Sequence, residues 1–181
     1  MTRLSTPAYA DMSPEQQRVH DIIVNGPRGD LRGPFAPWLV NPGFAEAAQA
    51  VGEYCRFNTS LSRDLAEIAI CVTGAHYKAE FEWWAHAGFA RNAGVSEVVL
   101  EAIRTGAEPS FETDKQAVVH RVAIALNRRH RLTDAEFAEA KDVLGETGLV
   151  DVIGLCGYYA MVSLTLNVYE MPTPDGSTAF S

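Results

Sequence analysis

Cysteine is scarce in this sequence and never paired. Three occur, Cys55, Cys71 and Cys156, far apart and without a Cys-x-x-Cys spacing. That pattern argues against a disulfide scaffold, and an odd count suits a reducing compartment. Positive charge is also in deficit. Fifteen Lys and Arg face 23 Asp and Glu, giving a net charge of −8. A phosphate-binding surface needs clustered positive charge, so neither a nucleic-acid nor a membrane partner is expected. The basic run NRRHR (127–131) is followed by the acidic DAEFAEAKD and reads as a solvated helix end. The opening MTRLSTPAYADMSPEQQ has no apolar h-region, so no targeting segment is expected and the expected location is cytoplasmic. Long apolar runs are missing too. The most apolar stretch, VIGLCGYYAMVSLTL (152–166), contains two glycines. It falls short of the ~20 residues that span a bilayer, and it reads as a buried core or interface helix. No stretch alternates with period 2 between turn signals, so no strand is predicted.

What is present is a series of helix signals within one 181-residue chain, read as a single all-α domain, 1–181. Ser13, Pro14 and Gln16 form a capping box for a first helix whose buried face is Val19, Ile22 and Ile23. Residues 30–42, DLRGPFAPWLVNP, are too rich in Pro and Gly for a regular element. They read as a loop or lid pinned by Phe35 and Trp38. A second helix is predicted over 42–57, with Phe44, Ala48, Val51 and Cys55 on one face. Ser60 or Ser62 starts a third, which Gly74 is expected to end. Further helices are predicted over 77–93, 97–105, 113–129, 134–145 and 148–168, about eight in all. Thr113/Gln116 and Thr133/Glu136 read as capping boxes. Residues 171–181 read as an extended C-terminal arm. The last helix is apolar on nearly all sides, which predicts that it is surrounded, most easily in a homo-oligomer.

The chemistry is concentrated in ICVTGAHYKAEFEWWAHAG (70–88). On a helix, Glu82 and His86 stand at i and i+4, on one face. If Gly74 turns the chain back, Glu67 on the preceding helix reaches the same face. A buried carboxylate–imidazole group would follow, with titration displaced by burial and mutual attraction. Spacing alone equally allows a surface Glu82–His86 pair and an ordinary buried Glu67 satisfied by backbone donors. His76 and Glu80 share the i,i+4 spacing, but His76 falls in the turn. No HExxH appears, and one imidazole with carboxylates makes a poor zinc shell, so no metal is expected. No nucleophile elbow appears either.

From Leu61 to Gly106 the sequence resembles the carboxymuconolactone decarboxylase family, which includes the alkylhydroperoxidase D branch. The resemblance rests on a helix bearing a Glu, a Gly-marked turn, an aromatic–Glu–Trp element, a His one turn later, and ARNAGVS. RGPFAPWLVNP and RFNTSLSRDLAEIAI upstream add to it. It implies a helical bundle of the alkylhydroperoxidase D-like type and an oligomer, whether dimer, trimer or hexamer. The peroxidase branch carries a Cys-x-x-Cys pair where this chain has Ala79 and Glu82, so thiol-dependent peroxide reduction is not expected. The decarboxylase branch implies a cofactor-free reaction on a small carboxylated lactone or keto acid. His86 would donate a proton, Glu67 would orient the imidazole, and Glu82 would be a second acid–base group. Phe35, Trp38, Trp83 and Trp84 would supply an apolar wall, and Arg32 would hold a substrate carboxylate with its forked guanidinium. Two alternatives stand beside this reading: an alkylhydroperoxidase D-like antioxidant with peroxiredoxin activity, disfavoured by the missing cysteine pair, and a non-catalytic ligand-binding or scaffold role.

Overall fold

Side-chain caps written into the sequence start five of the eight α-helices among the described residues. The computed structural model describes residues 2–4 and 7–180. Ser13 and Gln16 exchange hydrogen bonds with each other's backbone and start α1 (Pro14–Asn25). Asn41 accepts from Phe44 N at the start of α3 (Pro42–Glu53), after a four-residue helical turn, α2 (Phe35–Trp38). A π-helical turn (Tyr54–Asn58) continues α3. Then come α4 (Arg63–His76), α5 (Glu80–Asn92), α6 (Glu97–Thr105), α7 (Asp114–Arg129) and α8 (Asp134–Val168). Gly106 closes α6 at φ 76°. No strand occurs among the described residues, so the all-α expectation holds.

The buried helix is α4. Leu65 to Gly74 are all inaccessible, and α4 packs against α5, α6, α7 and α8. The short helix α6 shows clean amphipathic spacing, burying Val99, Leu100 and Ile103. Polar ties cross the core as well. Asn127 Nδ2 donates to Thr73 Oγ1 at 3.1 Å, and Asp151 accepts from Tyr54 Oη, Ser60 N and Ser60 Oγ at 2.6–2.8 Å.

Five local expectations are revised. Residues 30–42 hold one helical turn rather than being wholly irregular. Gly74 does not end α4, which runs on to His76, and the reversal falls at Lys78, with φ 49°. Gly74 instead sits where α4 meets α5, with Glu82 beside it. In α3 the buried face is Ala45, Ala48 and Gly52, while Phe44 and Val51 are exposed. The sixth helix has only half its box: Thr113 accepts from Gln116 N, but the Gln116 carbonyl oxygen accepts from Glu112 N. The two last helices are one element bent at Gly145, where φ is 72° and ψ 170°. The arm after α8 is extended yet docked. Glu80 accepts from the Ala179 and Phe180 amides, and the Phe180 ring packs 5.5 Å from Trp83. Ser181 lies outside the described residues.

Candidate functional site

Glu67 lies mid-α4 with no exposed surface, and Glu82 and His86 lie one turn apart on α5 with 3% and 4% exposure. The antiparallel packing of α4 on α5 brings the three together. His86 Nδ1 is 2.6 Å from Glu67 Oε2, and Nε2 is 3.1 Å from Glu82 Oε1. An imidazole directs its nitrogens in opposite directions, so the three form a chain, not a shell around one point. Among the described residues no three His, Cys, Asp or Glu side chains are placed to hold a metal ion.

The two carboxylates differ. Glu67 also faces Arg63, whose Nη2 is 2.7 Å from Oε1 in a charge pair poorly aligned for hydrogen bonding. Its second oxygen takes the short contact to Nδ1, so a proton on Nδ1 donates to Glu67. Glu82 has no cation against it. Its Oε1 is close to Nε2 but out of line, and makes no hydrogen bond. Burial raises the Glu82 carboxyl above its ordinary range; Glu67 adds to this, and His86, Arg56 and Arg28 oppose it. The imidazole is walled by the rings of Tyr159, at 4.8 Å, and Phe89, at 5.4 Å, both edge-on.

His86 and Glu82 open onto a cavity of about 410 Å³. Phe35, Phe81, Trp84, Phe89, Tyr158 and Tyr159 give it aromatic walls, and Arg28, Arg32 and Arg56 are the cations along it. Glu67 does not line it and stands behind the imidazole.

Of the residues expected at the site, Phe35, Trp84 and Arg32 line the cavity. Trp84 Nε1 donates to Asp175 of the docked arm at 2.9 Å. Trp38 and Trp83 do not line it. Trp38 is core: it packs on Phe35, Phe44 and Tyr158, and its Nε1 donates to Thr165. Trp83, adjacent to Trp84, is turned to the other face of α5 and covered by Phe180. Arg32 is paired with Asp30, at 2.6 Å through Nε, and its side chain is 70% exposed.

Two arginines and two tyrosines of the cavity escaped the sequence reading: Arg28, Arg56, Tyr158 and Tyr159. Arg28 sits in a stretch that signals only a helix stop. Arg56 is presented by the π-helical turn, which shifts the helix phase and has no sequence signature; such turns are frequent at functional sites. The tyrosines are hidden in an apolar run. A pair of phenols within that run was the one available signal.

The three thiols lie elsewhere. Cys55, Cys71 and Cys156 are buried and unpaired, and none lines the cavity. Burial pushes the Cys55 and Cys156 thiols up to about 11 and Cys71 well above its ordinary value. None is set up as a nucleophilic thiolate.

No protein-family model and no curated protein matches the chain. Solved structures do match it. An alkylhydroperoxidase AhpD core, an uncharacterized peroxidase-related protein from Ralstonia eutropha JMP134, superposes with a TM-score of 0.78 at 13% identity over 99% of this chain and 97% of that one. An uncharacterized peroxidase-related protein from Silicibacter sp. TM1040 gives 0.76 at 18% identity over 99% and 96%. The debrominase Bmp8, in complex with 2,3,4-tribromopyrrole, gives 0.72 at 13% identity over 94% and 90%. The fold is thus that of AhpD-like proteins. Identities this low establish shared architecture and leave chemistry to the site.

Proposed function

We propose that this chain is a cofactor-free acid–base enzyme of the decarboxylase type, acting on a small carboxylated lactone or keto acid. The observation that carries the reading is His86, with both ring nitrogens against buried carboxylates and Nε2 at the wall of an aromatic cavity. In the reaction, the bond between the substrate carbon and its carboxylate breaks. Carbon dioxide leaves, and the electron pair passes into an adjacent carbonyl as an enolate. The carbon then takes a proton from the His86/Glu82 pair, which is restored from water. Glu67 acts as a positioning residue, accepting from Nδ1–H and stabilising the imidazolium. Aromatic walls disfavour the charge of the departing carboxylate.

The reading includes self-association. A stripe of α8 is exposed: Val150, Ile153, Leu164 and Val168 are 48–65% accessible. Exposed Gly154 and Gly157 lie in the same stripe, with open space over both. Their spacing of three, four and seven is that of a helix–helix seam. A second copy of the chain is the proposed occupant.

The test is carbon dioxide release from a panel of carboxylated lactones and β-keto acids. The wild type and Cys71→Ser should turn over the same compounds, and His86→Gln should be slower by about 10²–10⁴. Activity lost with Cys71 and kept without His86 would overturn the assignment in favour of thiol chemistry.

A further inference from the structure

The cations of the cavity are unequally matched. Arg32 has Asp30, and Arg63, just behind, has Glu67. Arg28 has no hydrogen bond or ion pair among the described residues, and its Nε and Nη2 are buried without partners. Its guanidinium lies 4.4 Å above the Phe35 ring, a contact that favours a cation but satisfies none of its donors. Arg56 is stacked 4.3 Å over Phe89 and likewise has no carboxylate of its own. Glu82 is the remaining acid on the cavity wall, so three arginines face two carboxyls there, Asp30 and Glu82. The cavity therefore carries excess positive charge inside a chain of net charge −8.

Arg28 is also held in place. A Cβ on Gly52 would stand 2.7 Å from Arg28 Nη2 and 2.0 Å from Tyr158 Oη, so the missing side chain of Gly52 is the space both groups occupy. Tyr158 Oη is buried without a partner too, and burial raises its phenol, keeping it a donor. Donors from a guanidinium and a phenol thus share one neighbourhood with no acceptor. Leaving such groups unpaired is costly, and an anionic oxygen pair removes the cost.

We infer that Arg28, with Tyr158 beside it and Arg56 as a second positive wall, anchors a carboxylate of a flat, conjugated organic acid, one that the substrate keeps rather than the one it loses. Edge and face contacts from Phe35, Trp84 and Phe89 favour a planar body over an aliphatic one. This deepens the acid–base reading and rests on it for what happens after binding, while the binding step itself is independent of His86. It also moves the anchoring role from Arg32, exposed and already paired, to Arg28.

The experiment is calorimetric titration of the full chain with benzoate, benzamide and acetate. Benzoate should bind saturably, benzamide at least about tenfold more weakly because it lacks the charge-assisted hydrogen bonds, and acetate more weakly because it lacks the ring. Arg28→Met should lose about tenfold or more for benzoate without lowering the melting temperature of the free protein, because it removes an unpaired buried charge. Arg32→Met should lose less benzoate affinity than Arg28→Met, and Arg121→Met, on α7 and outside the cavity, should keep it within about twofold. Gly52→Ala, which pushes on both donors, should behave as Arg28→Met does toward benzoate. Equal binding of benzoate and benzamide, no saturable binding of benzoate, or unchanged affinity in Arg28→Met overturns the inference. Benzoate binding with no carbon dioxide released from any acid leaves the subsite standing and sinks the catalytic reading instead.

Discussion

His86 stands between two buried acids in different settings, Glu67 hydrogen-bonded at Nδ1 and Glu82 close to Nε2 without a bond. Glu67 is fully buried between His86 and Arg63, and removing its charge strands both. Glu67→Gln should keep the fold, lower kcat far more than it changes KM, and reduce stability by about 1–3 kcal/mol in chemical denaturation. Glu82 makes a different prediction. Its folded carboxyl is raised above the ordinary 4.5, so the folded protein binds that proton more tightly than the unfolded chain. The associated stability is fully present below about pH 4.5 and is lost as pH rises through the folded value. Glu82→Gln should therefore gain on the wild type between acid and neutral pH in paired melts, and a constant difference would contradict a raised Glu82. The triad was legible because i,i+4 spacing and one chain reversal are local facts. Arg28 was not, because its meaning lies in the partners it lacks and in a side chain missing from Gly52, a fact of packing rather than of sequence pattern.

At the level of elements, caps and glycines carried most of the legible information. Ser13, Ser96 and Thr133 start their helices as expected. Gly74 misled because a glycine beside a turn and a glycine at a helix contact look alike in sequence. The facing of α3 misled for a related reason. Its most apolar side chains, Phe44 and Val51, stay outside, since Gly52 must face Tyr158 and Arg28. The bend of α8 depends on Gly145 in the left-handed region. Gly145→Ala should cost about 1–2 kcal/mol by thermal melting, with no clash, as open space surrounds that position. Asp151 joins α8 to the turn bearing Arg56 through three charge-assisted hydrogen bonds. Asp151→Ala should destabilise by about 3 kcal/mol. It should also weaken benzoate binding through displacement of Arg56; intact affinity would show that the turn keeps its position without this tie.

For the whole molecule, the near-uniform apolarity of α8 has two outcomes. Val152, Leu155, Tyr159, Val162 and Leu166 are consumed by the core, while Val150, Ile153, Leu164 and Val168 stay open. α8 is long and apolar enough to cross a bilayer, but over half of its most apolar window is buried within the fold. The open stripe is the proposed face for a second copy. Ile153→Glu or Leu164→Glu should lower the mass seen by light scattering without loss of helicity, whereas a wild type already monomeric at micromolar concentration would contradict it. Which side of α8 stays open was not legible in the sequence, since apolar helices of cores and of interfaces share one composition.

The most direct test is nitrogen-15 NMR of the His86 ring, read against Glu67→Gln. The account predicts a strongly deshielded, slowly exchanging proton on Nδ1 that disappears when Glu67 is replaced. A ring protonated on Nε2 alone, or one exchanging freely with water in both proteins, would contradict it.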